Sequence, residues 1–319
     1  MDRERENQMC TASPACVNVP KPVAVVVVTW DSEAVIEACL RSAIAESPAE
    51  ILVVDNGSRD HTLARVMMAA PEAHVIALDT NRGFTGGCNM GVAHTSSPYI
   101  LFLNDDARLA PGYLEVLVHC LEADPQAASA TGKLLLQQGG GGCCRIDSAG
   151  IAMRFYALRP VDRGHGEIDR GQYDAPSECF GPSGAAALYR REALQSVGPE
   201  VFDEALFAYF EDVDLAWRLR RRGWRHLYEP RAMAYHTRRG ADAKPVPIAA
   251  RAFFNRYLVW LKNESLWRFC LYAPMAIPWE MMRLLRTLRR YPAFVAELVP
   301  SLRRIPATLR KRRHVAKCR

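Results

Sequence analysis

Residues 23–29 read VAVVVVT, a β-branched run with no polar interruption before its last position. A strand wetted on one side alternates apolar and polar residues, so this one must be covered on both faces, as in a parallel sheet sandwiched by helices. Three more apolar runs follow at Ile51–Val54, His74–Leu78 and Tyr99–Leu103. They stop near Thr29, Asp55, Asp79 and Asn104, at spacings of 26, 24 and 25 residues. Between the first two, Val35, Ile36, Cys39, Leu40, Ala43 and Ile44 repeat at helical intervals, with Asp31 or Ser32 placed to cap the helix. The turn Asn56-Gly57-Ser58 and a second amphipathic stretch through Met67 continue the rhythm. Right-handed βαβ crossovers and an α/β fold with a mostly parallel, Rossmann-like sheet are predicted.

Open α/β sheets bind ligands at the carboxyl ends of their strands, and here those ends are polar. Thr29, Asp55 and Asp79 could each be simple turn formers. Asn104-Asp105-Asp106 after the apolar YILFL is more telling, because adjacent carboxylates repel unless a cation or proton intervenes. Oxygen donors of this kind suit Mg²⁺ or Mn²⁺. Between the third and fourth runs, NRGFTGGCNMG supplies Arg82, a fork suited to phosphate, and glycines such as Gly86 that let backbone approach a ligand. The dinucleotide fingerprint is excluded, because it belongs directly after the first strand and Thr29-Trp30-Asp31-Ser32 has no glycine.

Farther along, FGPSGAAALYRR reads as a loop feeding a small-residue strand, leaving room for a ligand or for tight packing. Phe202–Leu215 carries Glu211, Asp212 and Asp214, with Asp212 a plausible N-cap for a helix to Arg222 and Asp214 spaced to pair with Arg218. A carboxylate beside Phe207–Phe210 can be desolvated, which raises its pKa toward that of a useful general base. His236 is either structural or, as a neutral imidazole, a ligand completing a metal site begun by Asp106.

Charge is unevenly placed. Residues 251–319 hold 16 Lys/Arg against 3 Asp/Glu, while the remaining 250 hold 25 against 32. The basic fifth also carries Trp260, Trp267, Phe269, Tyr272, Trp279 and Tyr291, a mixture suited to an anionic lipid surface. No nucleic-acid-binding module accompanies it. No run of about 18 uncharged apolar residues occurs, and the N-terminal 22 residues contain no apolar core, so neither a spanning helix nor a secretory signal is predicted. The ten cysteines are scattered without zinc spacing, as in a reduced, cytoplasmic protein.

The segments VVVVTWDS, ILVVDNGSRD, NRGFTGGCNMG, LFLNDDARL, FGPSGAAALYRREAL, FDEALFAYFEDVDLAWRLRRRGWR and YHTRRG, in this order, resemble the family 2 glycosyltransferases and their bacterial rhamnosyltransferase-like branch. The resemblance implies a GT-A fold, a divalent metal (Mg²⁺ or Mn²⁺) and inverting transfer of a sugar from a nucleotide-diphosphate donor. It would give Thr29, Asp55, Arg82, Gly86, Asn104 and Asp105 to the nucleotide-sugar. Asp106, His236 and Asp105 would serve the metal, and Asp212, paired with Glu211, would be the base. Rhamnose is the sugar it favours, and a cell-envelope or lipid-linked glycan the acceptor. The implied organisation is a flexible segment 1–20, a GT-A domain 21–245 and a basic helical extension 246–319 that associates with the inner face of the membrane. A homodimer is compatible with it. Three rivals are weaker. A nicotinamide oxidoreductase lacks its glycines. A processive synthase needs spanning helices and a Q-x-x-R-W-type motif. A non-catalytic sugar-nucleotide-binding scaffold at the membrane would have no use for the full acidic set with His236.

Overall fold

The computed structural model describes residues 21–137, 144–154, 159–238 and 246–317. The expected segment 1–20, the 245/246 boundary, and Arg239 and Gly240 of the YHTRRG run lie at or outside those limits.

The strand–helix rhythm is realised as β1 (Lys21–Thr29), α1 (Ile36–Ala45), β2 (Pro48–Asp55), α2 (Thr62–Ala69), β3 (His74–Ala77), α3 (Gly83–Ala93) and β4 (Tyr99–Asn104). β1 lies between β2 and β4, and β2 carries β3, all in parallel. The β-branched run behaves as its pattern demands. Val23, Val25 and Val27 pack under α1 and α4 (Tyr113–Ala123), whereas Ala24, Val26 and Val28 face α3 and the helices of the second half. All six are 7% exposed or less, and each buried valine contributes ~1.5–3 kcal/mol.

Two expectations about local structure change. α1 starts at Ile36 with no side-chain cap: its free N–H groups use the Ser32 carbonyl, and Asp31 instead receives the Arg59 N–H at 2.8 Å. The glycine-rich segment, read above as backbone free to approach a ligand, is mostly helix. A Cβ at Gly87 or Gly91 would collide with Val28 or Val26 of β1, so these glycines set the close approach of α3 to the sheet.

Beyond β4 the sheet becomes mixed. β11 (Ala186–Arg190) runs antiparallel between β4 and β6 (Ala127–Leu136). β12 (Arg225–His236) lies parallel to β6, with β10 (Ser177–Cys179) antiparallel at its edge. Short β5 (Ala107–Leu109) pairs with β12, and β7 (Arg145–Ser148) with β6. β8 (Ile151–Arg154) and β9 (Arg159–Asp162) form a separate two-stranded ribbon. Ala185–Ala187 are all buried, so the small residues there serve packing. After α5 (Arg191–Ser196), α6 (Glu211–Arg220) begins with Phe210 at its N-cap; Asp212 sits in the first turn rather than capping it.

The basic extension forms α7 (Val246–Asn263), α8 (Leu266–Arg290), α9 (Val295–Arg303) and α10 (Ile305–Lys317). It is fused to the body through charge. Asp214 is fully buried and receives Arg218 Nε at 2.9 Å, Lys262 Nζ at 2.8 Å and Asn263 Nδ2 at 2.8 Å. Burial alone would raise its pKa, but the Lys262 and Arg218 charges win and hold it below the ordinary range. Lys262 also reaches Asp203 at 2.7 Å, and Lys311 binds Asp203 at 2.6 Å and Glu200 at 2.8 Å. The predicted Asp214–Arg218 pair is therefore part of a larger buried network. Trp217 and Trp260 meet edge to face at 4.8 Å across the same junction.

Asn255 of α7 completes the join. Its Nδ2 lies 2.8, 2.9 and 3.0 Å from the carbonyls of Leu206, Ala208 and Tyr209, and Arg304 donates to its Oδ1 at 2.9 Å. The segment it holds is strained: Phe207, Tyr209 and Phe210 have φ of 67°, 67° and 70° without being glycine, at a cost of order 1–3 kcal/mol each. Thr85 N–H and a Cβ-free Gly83, itself at φ 76°, meet the Phe207 carbonyl from the other side.

Two outcomes follow from this junction. Lys262→Met should lower unfolding free energy by about 3–5 kcal/mol in chemical denaturation, because two buried carboxylates lose their shared cation and keep only Arg218 at Asp214 and Lys311 at Asp203. Asn255→Ala should accelerate amide hydrogen exchange in residues 206–210 well beyond its effect on α4 or β4; uniform acceleration would mean that Asn255 does not hold that segment.

Candidate active site

The strand register sets the polar ends side by side. Thr29 pairs with Asp55 across β1 and β2, and Val28 with Asn104 across β1 and β4. Thr29 is 1% exposed, and its Oγ1 has no hydrogen-bond partner among the described residues. A buried hydroxyl left unsatisfied at a strand end is costly unless something else meets it. Asp55 accepts the Ser58 N–H at 3.1 Å and the Ser58 hydroxyl. Asn56, which the sequence reading passed over as a turn residue, ties β2 to the glycine segment: its Nδ2 donates to the Gly83 carbonyl at 3.2 Å, and its Oδ1 accepts the Arg82 N–H at 3.2 Å. The Arg82 guanidinium is half-exposed and paired with Glu204 at 3.1 Å. Gly86 sits in α3 where a Cβ would strike the Arg82 Cβ, so its lack of a side chain gives Arg82 room.

At the end of β4 the acidic cluster divides. Asp106 Oδ1 lies 3.0 Å from His236 Nε2, and the far ring nitrogen, Nδ1, is 2.8 Å from Asp147 Oδ2. Burial opposes charging the imidazole, but the two carboxylates overcome it and raise its pKa to about 9. Asp147 is fully buried and bonded to Arg238 as well. Sequence reasoning missed it, because Asp147 before Ser148-Ala149-Gly150 looks like a turn former. The available signal was a lone carboxylate next to Ile146 in a short strand. The carboxylate of Asp105, expected to serve the nucleotide-sugar or the metal, receives the Ser32 hydroxyl. Among the described residues no three His, Cys, Asp or Glu side chains are gathered in metal-holding geometry.

Asp212 reaches the same rim by a chain of contacts. Its Oδ2 accepts the Gly184 N–H at 3.1 Å, the Ala185 carbonyl accepts the Asn104 N–H at 2.9 Å, and Asn104 Nδ2 is 3.5 Å from His236 Nε2. A second path closes the ring, from Asp147 through Arg238 to Asp162, 3.2 Å from Arg238 Nη2. Burial pushes the Asp212 carboxyl up to about 6, and the charge of Asp162 adds to the shift against the hydrogen bonds from Gly184 and Val213. Beside it opens a cavity of about 150 Å³ walled by Ile151 and Asp162 of the ribbon and by Tyr209 and Phe210 of the strained segment. Glu211 is buried alongside. The arrangement offers a carboxylate basic enough to take a proton near neutrality, next to a space for a second reactant.

Residues 20–252 match the family model described as "Glycosyltransferase like family 2". An N-acetylglucosaminyl-diphospho-decaprenol L-rhamnosyltransferase of Mycobacterium tuberculosis is 25% identical over 266 residues, covering 76% of this chain and 85% of the relative. A pre-mycofactocin glycosyltransferase of the same species is 29% identical over 195 residues, covering 59% and 37%. Among solved structures, GalNAc-T7 with UDP, GalNAc and Mn²⁺ superposes with a TM-score of 0.61 at 15% identity, over 75% of this chain but 48% of that one. TarS of S. aureus gives 0.50 at 18% identity, over 76% of this chain and 40% of that one. The chain therefore spans half or less of these two solved structures, and at such identities they speak for the GT-A fold alone. With that fold beneath a motif order matched from residue 20 to residue 252, the chain belongs to glycosyltransferase family 2 and is a rhamnosyltransferase-like sugar-transferring enzyme.

Proposed function

We propose that the enzyme moves a sugar, rhamnose by its similarity to the mycobacterial relative, from a nucleotide-diphosphate donor to a hydroxyl of a lipid-linked glycan, with inversion at the anomeric carbon. The observation that carries this reading is the Asp212 carboxyl, raised by burial to about 6 and opening on a cavity of about 150 Å³. Asp212 takes the proton of the acceptor hydroxyl as the new glycosidic bond forms, a contribution of about 10²–10⁴-fold. Attack from the Asp212 side and departure of the diphosphate on the other is a single displacement, so configuration inverts. Glu211, buried beside it, shapes the pocket's charge. Thr29, with its unmet hydroxyl, Asp55 and Asn104 line the strand ends where the nucleoside would lie, with Asp105 and Gly86 at its margins. Arg82 would exchange Glu204 for donor phosphate.

What supports a divalent cation is the Asp106–His236 pair, on which the ion would take the place of the Nε2 proton. Asp106 and His236 place an oxygen and a nitrogen donor 3.0 Å apart, and Asp147 holds the far imidazole nitrogen as outer-shell carboxylates do. Two protein donors suffice for an ion completed by water and substrate phosphates. Such an ion, Mg²⁺ or Mn²⁺, supplies charge stabilisation to the departing diphosphate.

Among the described residues no helix is long and apolar enough to cross a membrane. α8 nevertheless exposes Trp267, Leu271, Met275 and Trp279, each more than half accessible. This face supports a reading in which the enzyme rests on the cytoplasmic leaflet, where a lipid-linked acceptor would be met.

Asp212→Asn should cut turnover at least a hundredfold while leaving donor affinity within a few-fold, measured by product formation and by calorimetry. In the unaltered enzyme kcat should fall as pH drops through about 6, since the protonated carboxyl cannot accept; a rate flat from pH 5 to 8 would remove Asp212 from the role. Asp106→Ala should abolish the calorimetric signal of Mn²⁺ in the presence of nucleoside diphosphate. Undiminished Mn²⁺ binding would place the ion elsewhere.

A further inference from the structure

A second cavity, of about 250 Å³, lies between the start of β9 and α8, away from the strand ends. Its walls are Arg159, Trp279, Met282, Arg283, Arg286 and Thr287, with three guanidiniums and no carboxylate among them. Arg283 packs over the Phe253 ring at 5.4 Å and stands 3.9 Å from Glu280 Oε1, a loose ion pair, while Arg256 and Tyr257 Oη, the latter at 3.0 Å, hold Oε2 of the same carboxylate. Converging guanidiniums repel one another unless an anion is shared, and their planar forks match phosphate oxygens in pairs.

What enters this cleft is indicated by the helix that forms it. Trp267, Leu271, Met275, Trp279, Met282 and Arg286 follow at steps of 4, 4, 4, 3 and 4, so one face of α8 is an exposed apolar stripe that ends in the cationic cleft. An apolar track leading into arginines is the arrangement that meets acyl or prenyl chain first and phosphate second. The opposite wall is equally informative. Arg159 is the first residue of β9 and Asp162 its last, and Asp162 lines the cavity at Asp212. At ~3.3 Å per residue Arg159 and Asp162 stand about 10 Å apart along one strand.

We infer that the Arg159–Arg283–Arg286 cleft binds the phosphate or diphosphate of a lipid-borne acceptor, with the lipid along the α8 stripe and the attached sugar extended along β9 to Asp212. This rests on Asp212 as the centre of transfer and adds to it the acceptor's anionic group and direction. A bulk anionic headgroup would need the stripe and the arginines of α8 but not Arg159, which belongs to a different element.

The test uses the full-length protein and flotation with three kinds of vesicle: neutral phosphatidylcholine, the same lipid doped with a long-chain prenyl diphosphate, and the same lipid doped with phosphatidylglycerol to equal surface charge. The unaltered protein should partition onto the prenyl diphosphate vesicles roughly tenfold better than onto the phosphatidylglycerol ones. The double variant Arg159→Gln/Arg286→Gln changes two exposed side chains, so its melting temperature should be unchanged; it should lose that preference while keeping its affinity for neutral vesicles. Equal partitioning of the unaltered protein onto both charged vesicles, or a preference that survives in the double variant, overturns the inference. Nucleotide-sugar binding, measured in parallel, separates the two readings. Its absence from the unaltered protein counts against the proposed transfer reaction, whereas its presence without a diphosphate preference counts against the cleft alone.

Discussion

The buried carboxylate of Asp214 is the joint on which the second half of the molecule turns. It lies two residues past Asp212, and its three partners come from α6 itself and from α7. A charge so placed is tolerable only when fully paired, so α6 cannot shift without α7, and the geometry of the candidate base is inherited from a helix that contributes nothing to the sheet. Asn255 repeats the arrangement at the backbone level by gathering three carbonyls of the segment that delivers Glu211 and Asp212. Left-handed Phe207, Tyr209 and Phe210 are bearable there because α3 grips the segment from one side and α7 from the other.

This gives the basic extension a different meaning from its composition. A balance of 16 cations to 3 anions reads as a surface for lipid, yet Lys262, Arg304 and Lys311 point inward to satisfy Asp203, Asp214, Glu200 and main-chain carbonyls of the body. Even Asp203, which burial would favour neutral, is drawn down to about 2 by Lys262 and Lys311. The mild acidity of residues 1–250 is thus partly the complement of the tail. Among the cations left to a surface are those on the outer side of α8, where they meet exposed indole and thioether side chains.

Much of the first half was legible because local rules and tertiary demands agree there. VAVVVVT can only be a doubly covered strand, and regular spacing then fixes where its neighbours end. Thr29, Asp55 and Asn104 fall on one rim for that reason. The site was harder to read where function depends on contacts far apart in sequence. Asp147 approaches His236 across 89 positions, and Asn255 approaches Leu206 across 49; neither leaves a periodic trace. The glycines of α3 were read only as room for a ligand, because their low helix propensity hides a helix that packs against Val26 and Val28, a tertiary effect that no local scale contains. Asp212 was singled out as a candidate base from its apolar flank but mistaken for a cap, since the residue that enters the helix is a left-handed Phe210.

The interlock of α7 with the body also bears on how such enzymes can diversify. A chimera that borrows the C-terminal helices of a relative to change which acceptor is recognised would arrive with its own set of lysines and amides. Unless residues 200–214 were exchanged along with them, the graft would leave carboxylates without counter-charge close to the candidate base, and loss of activity would be mistaken for wrong specificity. The inheritable module runs from the acidic segment before α6 through α10, crossing the line that composition draws between catalytic body and tail.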